Sequence, residues 1–158
     1  MALNGAKASG KTVQAVVGTY DVPNEWGKGI KKQGDPWEDF WATQMPAGSR
    51  LPDGFPVFDY FDLAAGRAVS NKTIDTTTLA KQAKPENIYY TMKNYVDKTA
   101  DFELAALQGF SITRSQIKSR DIELLVPNGT TTAQWAELAR SVEYAKTRGV
   151  FIHISRAK

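Results

Sequence analysis

Four polar side chains in the first half of the chain have the types and spacing of a phosphodiester-cleaving site. Asp59 lies in the aromatic stretch Phe55–Leu63, and Ser70 and Lys72 follow two residues apart after an Ala-Ala-Gly turn. Side chains alternate along a strand, so Ser70 and Lys72 share one face, and pairing across the turn brings Asp59 to that face. Glu38, in a helix-like segment upstream, leans over the same end of the predicted strands.

These residue types suit metal-assisted cleavage of a phosphodiester. Cleavage develops negative charge on the phosphate and on the leaving oxygen, and a carboxylate-held divalent ion offsets that charge and lowers the pKa of its bound water. Asp59 and Glu38 would hold the ion, while Lys72 would position the water or stabilise the developing charge. Since the chain has no cysteine and one histidine, the ligand types alone favour Mg²⁺ or Mn²⁺.

The first of the elements that position these residues is a helix predicted to begin at Asp35. Asp35 is a good N-cap, Pro36 suits the first helical position, and Glu38 falls at the third position of a capping box. The following segment contains two prolines and two glycines and is predicted to be a loop. A hairpin comes next, with strands over Phe55–Leu63 and Arg67–Ile74.

The second half of the chain predicts two more helices and three more strands. Apolar residues at helical spacing predict a helix within residues 84–102, with Pro85 near its start. Residues 103–112 and 120–127 are strand-like. The last helix has a capping box of Thr131 and Gln134, ends at Gly149, and leads into a closing strand. This order of elements indicates an α/β layered domain.

The composition is that of one globular domain with a mild positive charge. Its 158 residues carry a formal net charge of +3, which favours an anionic partner without requiring one. The absence of cysteine excludes disulfides, thiolate metal sites and cysteine nucleophiles. No run approaches the roughly 18 apolar residues of a membrane span, and we expect no signal segment at the start.

Gly5–Thr12 matches the phosphate-loop pattern G-x-x-x-x-G-K-[ST], but in the wrong context. The preceding segment is too short and polar for the buried strand that feeds such a loop, and Gly18 interrupts the helix that should follow. We therefore predict no nucleotide site here. Residues 1–34 are predicted to be a basic Gly/Lys-rich leader, and residues 35–158 the functional domain.

The spacing Glu38 … Asp59 … Ser70-x-Lys72 resembles that of the PD-(D/E)xK nuclease superfamily. The segments "PWEDFWATQMPAGSRLPDGFPVFDYFD" and "GRAVSNKTIDTTT" are similar to the C-terminal toxin domains of contact-dependent growth inhibition (CdiA-type) effectors, in their metal-dependent DNase branch. The likeness runs from residue 35 to the C-terminus. One departure is Ser70, where most superfamily members carry Asp or Glu, so this hydroxyl would reach the metal only through water.

The resemblance implies a restriction-endonuclease-like mixed sheet flanked by helices, DNase activity and a zinc ion. It places the catalytic centre on Glu38, Asp59, Ser70 and Lys72. It also implies a C-terminal part of a secreted, cell-surface effector that acts in the cytoplasm of a target bacterium, with residues 1–34 as the junction to the delivery region. A cognate immunity protein would neutralise it, and we expect this partner to add a strand near Glu103–Ile112.

Basic residues before the first predicted helix and in the polar segment 113–120 are the candidates for contacts with DNA phosphates. They are Lys28, Lys31, Lys32, Arg114, Lys118 and Arg120. Such contacts position a duplex without reading its sequence, so we expect little specificity. His153, in the closing strand, is predicted to lie on a solvated or helix-covered surface. Two alternatives stay open, a tRNase on the same scaffold and a non-catalytic nucleic-acid-binding module whose acids are structural.

Overall fold

The computed structural model describes residues 7–8, 11–12 and 16–157. In these residues the chain forms nine strands, four helices and one 3₁₀ turn. The strands are β1 (Lys7–Ala8), β2 (Lys11–Thr12), β3 (Val16–Tyr20), β4 (Tyr60–Asp62), β5 (Arg67–Thr73), β6 (Leu104–Leu107), β7 (Phe110–Thr113), β8 (Ser119–Val126) and β9 (Phe151–Ala157). The helices are α1 (Ile30–Trp41), α2 (Leu79–Ala83), α3 (Glu86–Asp101) and α4 (Thr132–Thr147), and the 3₁₀ turn spans Arg114–Gln116.

Five strands form one mixed sheet in the order β3-β9-β8-β5-β4. The first four are parallel, and β4 pairs antiparallel with β5 at one edge. β8 lies in the centre, and residues 121–126 are buried on both faces, as expected for a parallel strand between helical layers. The β6–β7 hairpin forms a separate two-stranded sheet. The predicted α/β class, a mixed sheet flanked by helices, is confirmed.

Helices cover the two faces of this sheet unequally. The even-numbered residues of β8 pack with Met92 of α3 and Leu138 of α4, on what we call the α3 face. The odd-numbered residues lie on the α1 face, where Trp37 of α1 packs with Leu125. Trp37 Nε1 also donates a 2.9 Å hydrogen bond to the Glu123 carbonyl, which fixes α1 over the central strand.

The predicted termini of α3 and α4 are confirmed. Pro85 immediately precedes α3, as its fixed φ and missing N–H allow at a helix start. At the start of α4 the Thr131 N–H donates to Gln134 Oε1 at 2.9 Å, and the Gln134 N–H donates to Thr131 Oγ1 at 3.2 Å. After the last turn Gly149 adopts a φ of +69°, a conformation that favours glycine.

The predicted start of α1 is wrong. The helix begins before the expected N-cap Asp35, and Pro36 lies inside it. A proline cannot donate to the carbonyl four residues earlier, and here that carbonyl, on Lys32, accepts a 2.8 Å hydrogen bond from the Glu25 N–H instead. This contact from outside the helix explains why the helix continues, and it places Glu38 in the helix interior rather than in a capping box.

The predicted hairpin is confirmed only in part. Of the expected strand Phe55–Leu63, only the second half pairs, as β4. Val57 has a φ of +69° and Pro56 has no N–H for a ladder, so pairing does not extend through them. Asp59 therefore lies just before β4. The second strand, expected over Arg67–Ile74, is β5 and ends one residue earlier.

The beginning of the chain differs from a simple leader. The predicted division between residues 34 and 35 runs through α1, and β3 is an edge strand of the main sheet. Of the Gly5–Thr12 pattern the structure describes only the paired strands β1 and β2, and residues 16–20, near where a phosphate loop needs a helix, form β3. No helix in the described part of the chain is long and apolar enough to cross a membrane.

Candidate active site

Backbone hydrogen bonds hold Asp59 beside β5. Its N–H donates to the Val69 carbonyl at 2.9 Å, and its Oδ2 accepts from the Asn71 N–H at 2.7 Å. Tyr60 pairs with Val69 in the β4–β5 register, so Asp59 lies across from Ser70. The carboxylate is thus fixed at the edge of the sheet, next to the strand that carries Ser-x-Lys.

Glu38 approaches Asp59 from α1. Burial and, to a smaller extent, the neighbouring Glu38 carboxyl raise the pKa of Asp59 to about 7, because two adjacent carboxylates resist a double negative charge. The Asn71 N–H and the positive charge of Lys72 act in the opposite direction. Near neutral pH, such a pair is stabilised by sharing a proton or by binding a cation.

Ser70 and Lys72 both lie on the α3 face of β5. Ser70 is fully buried, and among the described residues its Oγ has no hydrogen-bond partner. The Lys72 Nζ lies 4.8 Å from the centre of the Tyr95 ring, a cation–π distance. The structure therefore brings Glu38, Asp59, Ser70 and Lys72 to one end of the β4–β5 pair.

Arg50 also lies at this end of the sheet. Its loop segment has no sequence pattern from which a role at the site could be predicted. Its Nη2 lies 2.6 Å from Glu38 Oε2 and 2.8 Å from Asp39 Oδ1. Its guanidinium also lies 5.8 Å from the centre of the Tyr60 ring, and the Tyr60 hydroxyl donates to the Glu38 carbonyl at 2.7 Å. Burial raises the pKa of Tyr60 to about 12, so this hydroxyl stays protonated and keeps donating.

A cleft of about 480 Å³ opens over these residues. Its charged lining residues are Lys31, Asp35, Glu38, Asp39, Arg50, Asp53 and Asp59. Carboxylate oxygens are the ligands that hard divalent cations prefer, with water completing the coordination shell. The two adjacent carboxyls of Asp59 and Glu38 fit such an ion, whereas Ser70 lies on the neighbouring strand and does not line the cleft.

The three lysines predicted to contact DNA lie at the start of α1. Lys28, Lys31 and Lys32 are all exposed. Lys31 lines the cleft and lies 4.0 Å from Asp35, an exposed ion pair that contributes little to stability. Of these three lysines, Lys31 is the one that lines the cleft.

The second basic group is placed differently. Arg114 is exposed and forms a 3.0 Å ion pair with Glu103, and Lys118 is exposed beside the β5 start. Arg120 instead donates to three backbone carbonyls at the C-terminal end of α3. Its guanidinium satisfies carbonyls that the helix leaves without partners, so we remove Arg120 from the DNA-contacting set.

A buried charged cluster on the α1 face was missed at the sequence level. Arg67 Nε lies 2.5 Å from Asp121 Oδ2, and Arg67 Nη2 lies 3.1 Å from Glu123 Oε2. His153 Nε2 lies 3.8 Å from Asp121 Oδ1. The signal was available, because Asp121 and Glu123 are two residues apart in a strand whose following residues are apolar, and so share one face. The His153 side chain is partly buried and contacts the carboxylate of Asp121. The sequence had predicted only a solvated or helix-covered surface for it.

The pKa values in this cluster respond to burial and to the neighbouring charges. Burial raises the pKa of Glu123 to about 7. Asp121 raises the pKa of His153. Burial opposes ionisation of Asp121, but hydrogen bonds from His153 and Arg67 outweigh it and lower the pKa of that carboxyl.

This fold, with an acidic cleft beside a Ser-x-Lys strand, defines a nuclease-like domain, and comparison with known proteins identifies the family. Residues 33–155 match the family model of the CDI toxin restriction endonuclease-like domain. The chain therefore belongs to this family, and the predicted restriction-endonuclease-like fold is confirmed.

Two curated relatives and one solved structure extend the comparison. The chain is 44% identical over 147 residues to Deoxyribonuclease CdiA of Yersinia pseudotuberculosis serotype O:3 (strain YPIII), covering 93% of this chain and 14% of that protein. It is 43% identical over 150 residues to Deoxyribonuclease CdiA-o11 of Escherichia coli O157:H7 (strain EC869), covering 95% of this chain and 40% of that protein. A CdiA-CT/CdiI toxin and immunity complex from Y. pseudotuberculosis aligns with a TM-score of 0.72 at 45% identity, over 78% of this chain and 99% of that one. The chain thus spans less than half the length of either curated relative.

Proposed function

We propose that this chain is a metal-dependent DNase toxin domain that a cognate immunity protein neutralises. Its two curated relatives are named deoxyribonucleases, and its structural neighbour is a toxin and immunity complex. The observation that carries the proposal is the pair of carboxyls, Asp59 and Glu38, that line one cleft, with Lys72 near enough for its charge to act on Asp59. Two carboxyls beside a lysine are the groups that metal-assisted phosphodiester cleavage requires.

Asp59 and Glu38 would hold the divalent cation, and Ser70 would contribute through water. When bound, the cation offsets the charge that develops on the phosphate and lowers the pKa of a bound water. Asp59 is oriented for this role because the Asn71 N–H fixes its Oδ2. Glu38 is oriented by α1, whose position the Tyr60 hydroxyl reinforces through the Glu38 carbonyl.

Lys72 would position the attacking water and stabilise negative charge at the phosphate. Its ammonium rests against the Tyr95 ring, which restricts the side chain while leaving it a charged donor. Lys72 is two residues beyond Ser70, which lies across from Asp59, so the ammonium and the Ser70 hydroxyl share one face of β5. As a compact point charge, an ammonium can serve the water and the phosphate in turn.

Arg50 is the counter-charge of the carboxylates in the metal-free protein. Arg50 Nη2 lies 2.6 Å from Glu38 Oε2. A cation that binds this oxygen must therefore displace the guanidinium or share the oxygen with it. The Arg50 side chain is 40% exposed, so it can move into the cleft without breaking the core. There it would meet the phosphate backbone alongside Lys31, Lys28 and Lys32.

We propose Zn²⁺ as the ion because the family resemblance implies it, with Mg²⁺ and Mn²⁺ as the alternatives. The donor set at the cleft consists of oxygens, which suits the harder ions, whereas Zn²⁺ is bound by oxygen, nitrogen and sulfur alike. Cleavage in EDTA, followed by addition of each ion separately, identifies the one that the site uses.

The β6–β7 hairpin is the proposed contact for the immunity protein. It spans most of Glu103–Ile112, and in the described chain its strands pair only with each other. Leu104 and Phe110 on this hairpin are 73% and 39% exposed, so it offers both a strand edge and apolar side chains. Deleting the hairpin tip at Gln108 and Gly109 should weaken immunity binding strongly, and unchanged binding would remove this part of the proposal.

The wider context is also proposed from the relatives. The chain would form the C-terminal part of a secreted, cell-surface effector, with residues 1–34 near the junction to the delivery region. It would act on DNA in the cytoplasm of a target bacterium. The mild positive charge of the chain is consistent with a polyanionic substrate.

Incubation of the purified chain with supercoiled plasmid and with total tRNA, in EDTA and then with Zn²⁺, Mg²⁺ or Mn²⁺, tests the proposal. We expect metal-dependent nicking of the plasmid and intact tRNA. Cleavage of tRNA alone would make the domain a tRNase on the same scaffold. Salt-sensitive binding without cleavage of either substrate would make it a nucleic-acid-binding module.

A further inference from the structure

We propose that the buried cluster on the α1 face is a second divalent-cation site, separate from the active-site cleft. Asp121, Glu123 and His153 each offer one ligand atom, and these atoms all lie within 4.8 Å of one another. Metal ligands in proteins commonly combine imidazole nitrogen with carboxylate oxygen in this way. The site does not depend on the proposed DNase activity, because none of its residues belongs to the cleft.

The central strands of the sheet position the three ligands. Asp121 and Glu123 are two residues apart on β8 and therefore share the α1 face. Glu123 and His153 are register partners between β8 and β9. Because both strands are hydrogen-bonded on each side in the main sheet, the ligand positions are set by backbone rather than by mobile loops.

Arg67 leaves one oxygen of each carboxylate available. Its guanidinium binds Asp121 Oδ2 and Glu123 Oε2, while Asp121 Oδ1 points towards His153 at 3.8 Å. The remaining oxygen, Glu123 Oε1, has no hydrogen-bond partner in the described residues, although Glu123 is only 2% exposed. In metal sites, a ligating carboxylate is commonly oriented by a hydrogen-bond donor that holds the oxygen not bound to the metal.

The charge of the cluster favours a cation. Asp121 and Glu123 bring two negative charges when ionised, and Arg67 supplies one positive charge. With a neutral His153 the net charge of the group is −1, which attracts a cation. A divalent ion at the three free ligand atoms changes this charge to +1, and the nearby guanidinium limits the affinity.

Other unpartnered polar groups on the same face support the site independently. Asn71 is the register partner of Glu123 on β5, and neither its Oδ1 nor its Nδ2 has a hydrogen-bond partner in the described chain. Ser155, two residues beyond His153 on β9, is fully buried with an equally unpartnered Oγ. Buried polar atoms are rarely left unsatisfied, so their concentration here indicates a polar, hydrated ion site.

The ligand set identifies the class of ion. One imidazole and two carboxylates suit Zn²⁺ better than Mg²⁺, which prefers oxygen ligands alone. Such an ion would join β8 to β9 and, through Arg67, to β5. Ser70 and Lys72 lie on the opposite face of β5, so the ion would stabilise the strand that carries them without touching substrate.

The single histidine makes the site directly observable. We would titrate Zn²⁺ into the ¹⁵N-labelled 158-residue chain carrying Glu38→Gln and Asp59→Asn, which removes the cleft ligands, and follow the ring resonances of His153. We expect these resonances to shift and saturate at one equivalent. Ring resonances that stay unchanged in excess Zn²⁺ would overturn the proposal.

Two variants identify the ligands. In the same background, Glu123→Gln should weaken Zn²⁺ binding at least about tenfold, whereas Glu143→Gln, at an exposed acid on α4, should leave it unchanged. If Glu123→Gln fails to fold, His153→Gln replaces a partly exposed side chain, and calorimetry should then show the loss of one equivalent. Retention of that equivalent in His153→Gln would also overturn the proposal. A failure of the DNase proposal would leave these results unaffected.

Discussion

Two acidic clusters are each balanced by an arginine, and they differ in the burial of their carboxylates. In the cleft, Glu38 and Asp39 pair with Arg50, and the side chains of these two acids are 27% and 64% exposed. In the buried cluster, Asp121 and Glu123 are 9% and 3% exposed in their side chains and are held by Arg67.

The difference indicates how each cluster is used. An exposed guanidinium can leave its partner at little cost, because water replaces the lost contact. A guanidinium bound to buried carboxylates cannot leave without exposing uncompensated charge. The cleft is therefore suited to exchanging an arginine, a proton or a cation during a reaction, whereas the buried cluster is suited to fixing the strands.

The largest expected effect comes from removing Arg67, the arginine that pairs with the buried carboxylates. Arg67→Met should lower the free energy of unfolding by about 3–5 kcal/mol, since it leaves two buried carboxylates without their counter-charge. Arg50→Met, the matched change in the cleft, should cost under about 1 kcal/mol. Urea denaturation of both variants measures the two values, and equal values would remove the distinction between the clusters.

Removing Lys72 should impair cleavage with little effect on folding. Lys72→Gln should slow metal-dependent plasmid cleavage by about 10²–10³-fold, as expected for loss of a group that stabilises transition-state charge. Cation binding should be retained, because the ligands Glu38 and Asp59 are intact. Single-turnover cleavage and calorimetry separate these effects, and a loss of binding equal to the loss of rate would argue that Lys72 acts on the metal site instead.

The pH dependence of stability provides a third comparison. The pKa of Asp59 is raised from 3.8 to about 7 in the folded protein. Between these values the unfolded chain has released a proton that the folded protein retains, so stability falls as pH rises from about 4 to 7. In EDTA, Asp59→Asn should therefore become more stable than the wild type across this window, by at most about 4 kcal/mol at 1.4 kcal/mol per pKa unit.

Urea denaturation at pH 4 and at pH 8 measures this difference. The two proteins should agree within about half a kcal/mol at pH 4, because Asp59 is protonated in the folded protein and only partly ionised in the unfolded chain. A difference already complete at pH 4 would show that the substitution acts through packing rather than through charge. Added cation should stabilise the wild type selectively at pH 8, because it occupies the ionised carboxylates.

The smallest expected effect concerns the competition between Arg50 and the metal. Arg50→Gln frees Glu38 Oε2 and should tighten cation binding by up to about fivefold, the equivalent of the roughly 1 kcal/mol that a partly exposed ion pair contributes. Calorimetric titration of the variant and of the wild type measures this change in cation affinity. Weaker binding in the variant would indicate that Arg50 supports the metal site.

The elements with strong local patterns could be predicted from the sequence. The helical spacing of α3, the capping box of α4 and the turn before β5 are encoded by near neighbours, and all are confirmed. The start of α1 could not be predicted in this way. The carbonyl that Pro36 leaves free is satisfied by the Glu25 N–H, a contact from outside the helix.

The candidate site likewise contains residues that the local sequence predicts and residues that it does not. The alternation along β5 and the hairpin register are local, so Asp59, Ser70 and Lys72 could be placed together before the fold was known. Arg50 lies in an irregular loop whose path is set by packing, and no periodicity marks it. The buried cluster requires the parallel pairing of β8 with β5, which joins residues more than 50 positions apart, and of β8 with β9.

Plasmid cleavage by Asp59→Asn beside Asp62→Asn tests the central claim most directly. Asp62 lies on the same hairpin, but its Oδ1 accepts from the Ala65 N–H in the turn, a bond that asparagine can keep. With the preferred cation, Asp59→Asn should abolish nicking, and Asp62→Asn should cleave at close to the wild-type rate. Nicking by Asp59→Asn at the wild-type rate would contradict the assignment of the active site to this cleft.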